Sequence, residues 1–372
     1  GPGTGTVGKR RLTSMRRPLV RDDLKSMEGY HSPQVDVEVR LNTNEAPFPP
    51  PDEFQEAFLN EVTKVDWNRY PDRLAQSLRE DLAALHQVQP EQVFVANGSN
   101  EVLQTICLTF GGHGRTALTF EPTYAMYGQI ARTTQCRVAE VQRDEAFKVS
   151  IDVLERGIET EKPDLMFLCS PNNPTGTPES SAVIEAALGL SSAAVVVDEA
   201  YGQFADFTAL DMFGSHDASD SLIVTRTFSK TWSMAGVRLG YCIAPSWMLD
   251  EFQKVVLPYH LDSVKQIAGQ VALRFQDQME KRVTQIADER KRVSESLTLM
   301  ELDVWPSQAN FILFRTTPCD LSGNEVWKRL LDRSVLVRNC SGWPGLEDCL
   351  RVTLGTEQEN TIFLEALQEA LQ

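Results

Sequence analysis

The run Ala193-Ala194-Val195-Val196-Val197-Asp198-Glu199-Ala200-Tyr201 decides how this chain folds. Consecutive small and β-branched apolar residues cannot alternate between core and solvent. They predict a strand covered on both faces, as in a parallel sheet flanked by helices. The run ends on a carboxylate. Asp198 leaves a buried strand at the edge where doubly wound sheets bind ligands, and a buried ion there is costly without a partner. A pyridinium N–H⁺ would meet that need, and so would a structural salt bridge or Mg²⁺.

Working outward, short β-rich runs recur at residues 93–95, 116–120, 137–141, 165–169, 222–225 and 239–244, mostly separated by helix-length segments. With the central run they make seven strands and predict a large α/β domain over residues 52–262 with a mostly parallel sheet. Ahead of it, residues 22–51 end in the proline-rich connector LNTNEAPFPPP and are expected to join a smaller domain. Residues 263–297 are charged and amphipathic, predicting an interdomain helix with a break near Gly269. Residues 298–372 predict the small α+β domain, with β-like runs at 311–314, 335–337 and 350–354 and helical runs at 323–332 and 357–371. Residues 1–21 carry Lys9, Arg10, Arg11, Arg16, Arg17 and Arg21 without a carboxylate. Their Gly-Pro-Gly opening reads as an expression scar ahead of a disordered basic arm.

At 372 residues with 42% hydrophobic content the chain can bury a sizeable core, and its apolar runs fall far short of a membrane span. A formal charge of -16 argues against a nucleic-acid binder working through a broad basic face. Cysteines at 107, 136, 169, 242, 319, 340 and 349 are odd in number and lack metal-ligand spacing. Buried free thiols in a reducing cytoplasm are expected, with no metal site.

Four further segments gather at predicted strand ends. Asn97-Gly98-Ser99-Asn100-Glu101 opens a helix, and its first-turn amides suit a phosphate or form an ordinary cap. Ser170-Pro171-Asn172-Asn173-Pro174-Thr175-Gly176 is a stiff polar loop in which Asn173 either meets a ring oxygen or completes a turn. Thr227, Ser229, Lys230 and Arg238 lie in TFSKTWSMAGVRLGY, whose composition is not that of a solvated surface. A partly desolvated lysine near an arginine has the lowered pKa that Schiff-base chemistry requires. Arg351, in CLRVTLGT, and Arg338, in VLVRN, suit a carboxylate or phosphate, or pair internally.

Taken in order, LNTNEAPFPP, NRYPD, NGSNEVLQ, FEPTYAMY, SPNNPTG, VDEAY, TFSKTWSMAGVRLGY, LPYHLDSVKQ, VLVRN and LRVTLGTEQEN resemble the fold-type I aminotransferases. Within them the chain is similar to the histidinol-phosphate aminotransferase family, from Leu24 to Leu371. The resemblance implies a pyridoxal 5'-phosphate enzyme with Lys230 as the Schiff-base lysine and proton carrier. It implies Asp198 on the pyridine nitrogen, Tyr201 and Asn173 on the ring O3', and Tyr124 stacked on the ring. Ser99, Thr227, Ser229 and Arg238, with amides near Asn100, would hold the cofactor phosphate. Tyr70 would reach that phosphate from the second subunit of a homodimer. Tyr30, Asn44, Arg338 and Arg351 would surround histidinol phosphate and glutamate or 2-oxoglutarate. The family's N-E-N-P reads Asn44-Glu45-Ala46-Pro47 here, and additional residues surround Cys340-Ser341-Gly342-Trp343. Both departures bear on the substrate side, where an aromatic or other amino-acid donor is the alternative.

Overall fold

The computed structural model describes residues 17–32, 34–214 and 220–372. Lys9, Arg10, Arg11 and Arg16 of the basic arm lie outside the described residues. The chain divides into two compact units, residues 1–32 and 33–372. The first holds a 3-10 turn at Asp22–Leu24 and surface ion pairs from Arg21 to Asp23 and Lys25 to Asp22. Tyr30 belongs to this unit and is exposed.

In the second unit the chain runs through β1 (Val39–Leu41), α1 (Asp52–Val62), α2 (Gln76–His86), β2 (Val93–Ala96) and α3 (Gly98–Phe110). Strands and helices then alternate as β3 (Thr116–Glu121), α4 (Met126–Thr133), β4 (Arg137–Gln142), α5 (Ile151–Glu161), β5 (Leu165–Cys169) and α6 (Ser181–Leu190). Next come β6 (Ala194–Asp198), β7 (Leu222–Thr227), β8 (Gly240–Ile243), α7 (Ser246–Val255), α8 (Ser263–Leu273) and α9 (Gln276–Leu299). The chain closes with β9 (Asp303–Val304), β10 (Phe311–Arg315), α10 (Gly323–Asp332), β11 (Val335–Asn339), β12 (Cys349–Thr353) and α11 (Glu357–Ala370).

Strands β2-β8-β7-β6-β5-β3-β4 form a seven-stranded sheet, parallel throughout except for β8. β6 lies at its centre with every residue buried. Val195 and Val197 pack with Leu118, Met166, Leu168 and Val224 on one face. Ala194 and Val196 pack with Phe167, Ile223 and Cys242 on the other. Each fully buried valine contributes roughly 1.5–3 kcal/mol, so an all-apolar strand is what a two-sided core selects. The carboxyl ends of β5, β6 and β7 therefore deliver Asp198 and its neighbouring loops to one edge.

A second sheet, ordered β1-β11-β12-β10-β9, has β1 parallel to β11 and its other pairs antiparallel. Its core takes Ile286, Val293 and Leu297 from α9 and Phe363 and Leu367 from α11.

The helix expected to break near Gly269 breaks elsewhere, at Arg274 and Phe275 between α8 and α9. Gly269 is a contact point. A Cβ there would lie 2.8 Å from side-chain atoms of both Leu78 and Leu239, so the glycine lets α8 approach α2 closely.

Candidate active site

The N-terminus of α3 carries the first part of the site. Gly98 has φ +78°, and no side chain caps the helix. A Cβ on Gly98 would lie 2.8 Å from Nη2 of Arg238, which places that guanidinium directly over the helix start. A Cβ on Gly240 would meet the Ser99 amide nitrogen at 2.4 Å, so only glycine lets β8 pass beneath the turn. Arg238 donates to Ser229 Oγ at 3.3 Å, and the Ser229 amide donates to Thr227 Oγ1 at 3.0 Å. Amides at a positive helix end, hydroxyls and a guanidinium form an anion cradle.

Asp198 ends β6. It is buried, and three neutral groups donate to it: Tyr127 Oη to Oδ2 at 2.5 Å, Thr225 Oγ1 to Oδ1 at 2.9 Å, and the Ala200 amide to Oδ1 at 3.1 Å. Among the described residues no cation pairs with it. Desolvation raises its pKa against the lowering effect of those donors. A buried carboxylate with four lone-pair sites and three donors retains one acceptor position. The sequence expectation of a cationic partner is met by nothing in the described chain; the remaining acceptor position suits an N–H donor.

Lys230 follows the hydroxyl pair. Its Nζ donates to the Thr43 carbonyl at 3.1 Å and lies 5.8 Å from the Tyr201 ring centre. Burial, with Arg351 and Arg238, lowers its pKa to about 8 against the opposing effect of Glu45. Tyr201 accepts from Asn44 Nδ2 at 3.0 Å, and Thr353 Oγ1 donates to Asn44 Oδ1 at 2.9 Å. Burial raises the Tyr201 phenol well above its usual range.

Asn173 sits in a loop locked from behind. Asn172 donates to the Pro122 carbonyl at 3.0 Å and to Thr175 at 2.8 Å, while Arg143 donates to Asn172 Oδ1 at 3.2 Å. Arg143 also forms a buried ion pair with Glu179 at 2.5 Å. Asn173 Oδ1 accepts from Arg351 Nη1 at 2.5 Å, leaving its amide nitrogen as the donor for a ligand. Arg351 Nη2 donates to the Asn42 carbonyl at 2.8 Å. On the antiparallel ladder Arg338 is the direct partner of Arg351, and its guanidinium lies 5.5 Å from the Trp343 ring centre. Tyr124 donates to Asn100 Oδ1 at 3.1 Å. Ala46 lines a cavity of about 550 Å³ with Arg40, Glu45 and Thr353.

Contacts join Arg238, Ser229 and Thr227, Tyr124 and Asn100, Asn44 and Tyr201, and Asn173 and Arg351; Ser99 lies against Gly240, Lys230 faces the Tyr201 ring, Asp198 ends β6, and Arg338 is one strand away from Arg351. Tyr70 is set apart. It is 80% exposed and stacks on Tyr259 with ring centres 4.4 Å apart. Tyr30 lies in the other unit. Sequence reading passed over Tyr127, Thr225 and Thr353. Thr225 ends a predicted strand, but only the structure's parallel register sets it beside Asp198. Tyr127 inside FEPTYAMY carried no mark distinguishing it from a core aromatic.

These residues fit pyridoxal 5'-phosphate: an anion cradle, a buried carboxylate with an acceptor position left for an N–H donor, and a desolvated amine within electrostatic reach of Arg238. Such a site on a mostly parallel α/β sheet defines a pyridoxal-phosphate transferase, and the chain belongs to the family Aminotransferase class I and II, whose model matches residues 36–367. Within that class it belongs to the histidinol-phosphate aminotransferase family. It is 42% identical over 358 residues to the histidinol-phosphate aminotransferase of Thermobifida fusca, covering 94% of this chain and 95% of the relative. The enzyme of that name from Corynebacterium diphtheriae is 38% identical over 366 residues, covering 95% and 96%. Solved structures of histidinol-phosphate aminotransferases share the fold. That from Clostridium acetobutylicum has a TM-score of 0.81 at 23% identity, covering 90% of this chain and 99% of its own. That from Sinorhizobium meliloti, in complex with pyridoxal-5'-phosphate, has a TM-score of 0.81 at 22% identity, covering 90% and 91%. No helix among the described residues is long and apolar enough to cross a membrane.

Proposed function

We propose that this chain is a pyridoxal-5'-phosphate enzyme that transfers the amino group of L-histidinol phosphate to 2-oxoglutarate, reversibly, giving imidazole-acetol phosphate and L-glutamate in histidine biosynthesis. The observation that carries the choice of donor is the register placing Arg338 opposite Arg351. A phosphate has acceptor oxygens enough to engage two guanidinium groups from neighbouring strands.

In this reading the α3 amides, Ser99, Thr227, Ser229 and Arg238 hold the cofactor phosphate. Asp198 accepts from the ring N–H, Tyr201 and Asn173 engage O3', and Tyr124 covers the ring face. Bound there, the cofactor supplies an electron-withdrawing ring and a carbonyl carbon that takes up the amine. Lys230, with its pKa lowered to about 8, has a neutral fraction at neutral pH and an Nζ able to carry a proton between the substrate Cα and C4'. The Thr43 carbonyl keeps that nitrogen at the site when it is not bonded elsewhere. Asn44 and Thr353 fix the Tyr201 hydroxyl. Arg351 takes the α-carboxylate of glutamate or, with Arg338, the donor phosphate.

The working form is a homodimer in the cytoplasm. Trp67, Tyr70 and Leu257 are 73%, 80% and 76% exposed, and aromatic and aliphatic side chains so open to water favour burial against a second copy. There Tyr70 reaches the other subunit's phosphate cradle. The cysteines are free thiols, as a reducing compartment keeps them.

The test is a panel of amino donors with 2-oxoglutarate as acceptor. Histidinol phosphate should give the highest kcat/KM. A higher value with phenylalanine would overturn the choice of donor.

A further inference from the structure

We propose that Tyr127 is a positioning residue for the cofactor's ring nitrogen: its hydroxyl and the ring N–H share one oxygen of Asp198, Oδ2. The inference rests on the reading that this site holds pyridoxal 5'-phosphate.

Counting acceptors assigns the oxygen. Oδ1 already takes the Thr225 hydroxyl and the Ala200 amide. Oδ2 takes the Tyr127 hydroxyl alone and so holds the remaining lone pair. The hydroxyl is held in place by its own ring. Tyr127 is fully buried and stacks flat on Phe167, with centres 4.8 Å apart and planes at 3°. Its edge meets Tyr124 at 5.4 Å and 84°. Tyr124, the residue assigned to the cofactor's ring face, is thereby braced by the residue that braces its ring nitrogen.

The chemistry needs a neutral donor here. A cation against Asp198 would cancel the charge that keeps the ring nitrogen protonated. A phenol lends a hydrogen bond without cancelling it. Burial and the adjacent carboxylate push the Tyr127 pKa well above its usual range, so the hydroxyl remains a donor. Without that donor, the desolvated carboxylate would hold a proton more tightly and draw it from the ring nitrogen.

Tyr127→Phe keeps the stack on Phe167 and the edge contact with Tyr124, and removes the hydroxyl that donates to Asp198 and also meets the Cys169 thiol. The readout is the ¹⁵N resonance of ring-labelled pyridoxal 5'-phosphate bound to the parent, to Tyr127→Phe and to Thr225→Val, with the cofactor dissociation constant, kcat and KM alongside. The parent should show a protonated nitrogen. Tyr127→Phe should move the signal toward the unprotonated position and lower kcat about tenfold, the size expected for one lost hydrogen bond to a charged group, with KM little changed. Thr225→Val, acting on the other oxygen, should move the signal less. An unmoved signal in Tyr127→Phe overturns the proposal whatever the rate does, and so does an equal or larger displacement in Thr225→Val. An unprotonated nitrogen in the parent would instead refute the role given to Asp198, a separate failure.

Discussion

Arg351 Nη1 donates to Asn173 Oδ1 at 2.5 Å, joining strand β12 of the five-stranded sheet to the loop that follows β5 of the seven-stranded one. Arg351 is 6% exposed, and its other Nη donates to the Asn42 carbonyl. An incoming anion therefore meets an arginine already aimed by neutral partners. Arg351→Ala should damage both half-reactions, because the same fork serves carboxylate and phosphate. A hydrogen bond to a charged group is worth roughly 1.5–3 kcal/mol, so KM for histidinol phosphate and for glutamate should each rise about tenfold or more. Steady-state kinetics with both substrates checks this; loss with one alone would assign Arg351 to that one.

Arg338 should discriminate. A phosphate has oxygens enough for a second guanidinium and a carboxylate does not, so Arg338→Ala should weaken histidinol phosphate more than glutamate or phenylalanine. Single-turnover conversion with the three donors gives the ratio. Equal losses would remove Arg338 from phosphate recognition.

Lys230 gives a pH dependence whose sign follows from its environment. Its amine is nucleophilic only when neutral, and burial with Arg351 and Arg238 lowers its pKa to about 8. Capture of pyridoxal 5'-phosphate by the cofactor-free protein should accelerate as pH rises toward 8 and level off above it. The charged amine dominates below that pH. Stopped-flow absorbance measures the profile, and continued acceleration up to the ordinary lysine pKa would contradict the desolvated placement.

Asp198→Asn should keep the cofactor but lower kcat by more than about tenfold, since an amide cannot hold a protonated nitrogen. A smaller loss would make the residue structural.

Sedimentation should give about twice 41.7 kDa. Leu257→Asp, at a 76% exposed position, should shift the protein toward monomer and lower activity together. Full activity in a monomer would refute the shared site.

The parts legible in the sequence are those set by local pattern. The run ending at Asp198 announced a two-sided strand because alternation was impossible, and the apolar company of Lys230 announced a buried amine. Illegible parts depend on chain segments far apart. Asn44 meets Tyr201 across 157 residues and Thr353 across 309, and its φ of 57° places it in the left-handed region no spacing rule marks. Gly269 looked like a helix breaker because a glycine in a helix carries an entropic cost, yet tight packing against Leu78 and Leu239 explains it. Tyr127 was hidden for the reverse reason: its stacked ring is ordinary core, and only the hydroxyl at its tip is functional.

The most direct measurement is borohydride reduction of the cofactor-loaded protein, followed by digestion and peptide mass analysis, with and without prior addition of histidinol phosphate. Reduction alone should fix one pyridoxyl phosphate per chain on the peptide containing Lys230. Prior addition of histidinol phosphate, with no keto acid present, should abolish that label because the amine form of the cofactor no longer engages the lysine. A label on another lysine, or one that histidinol phosphate leaves untouched, would contradict the account.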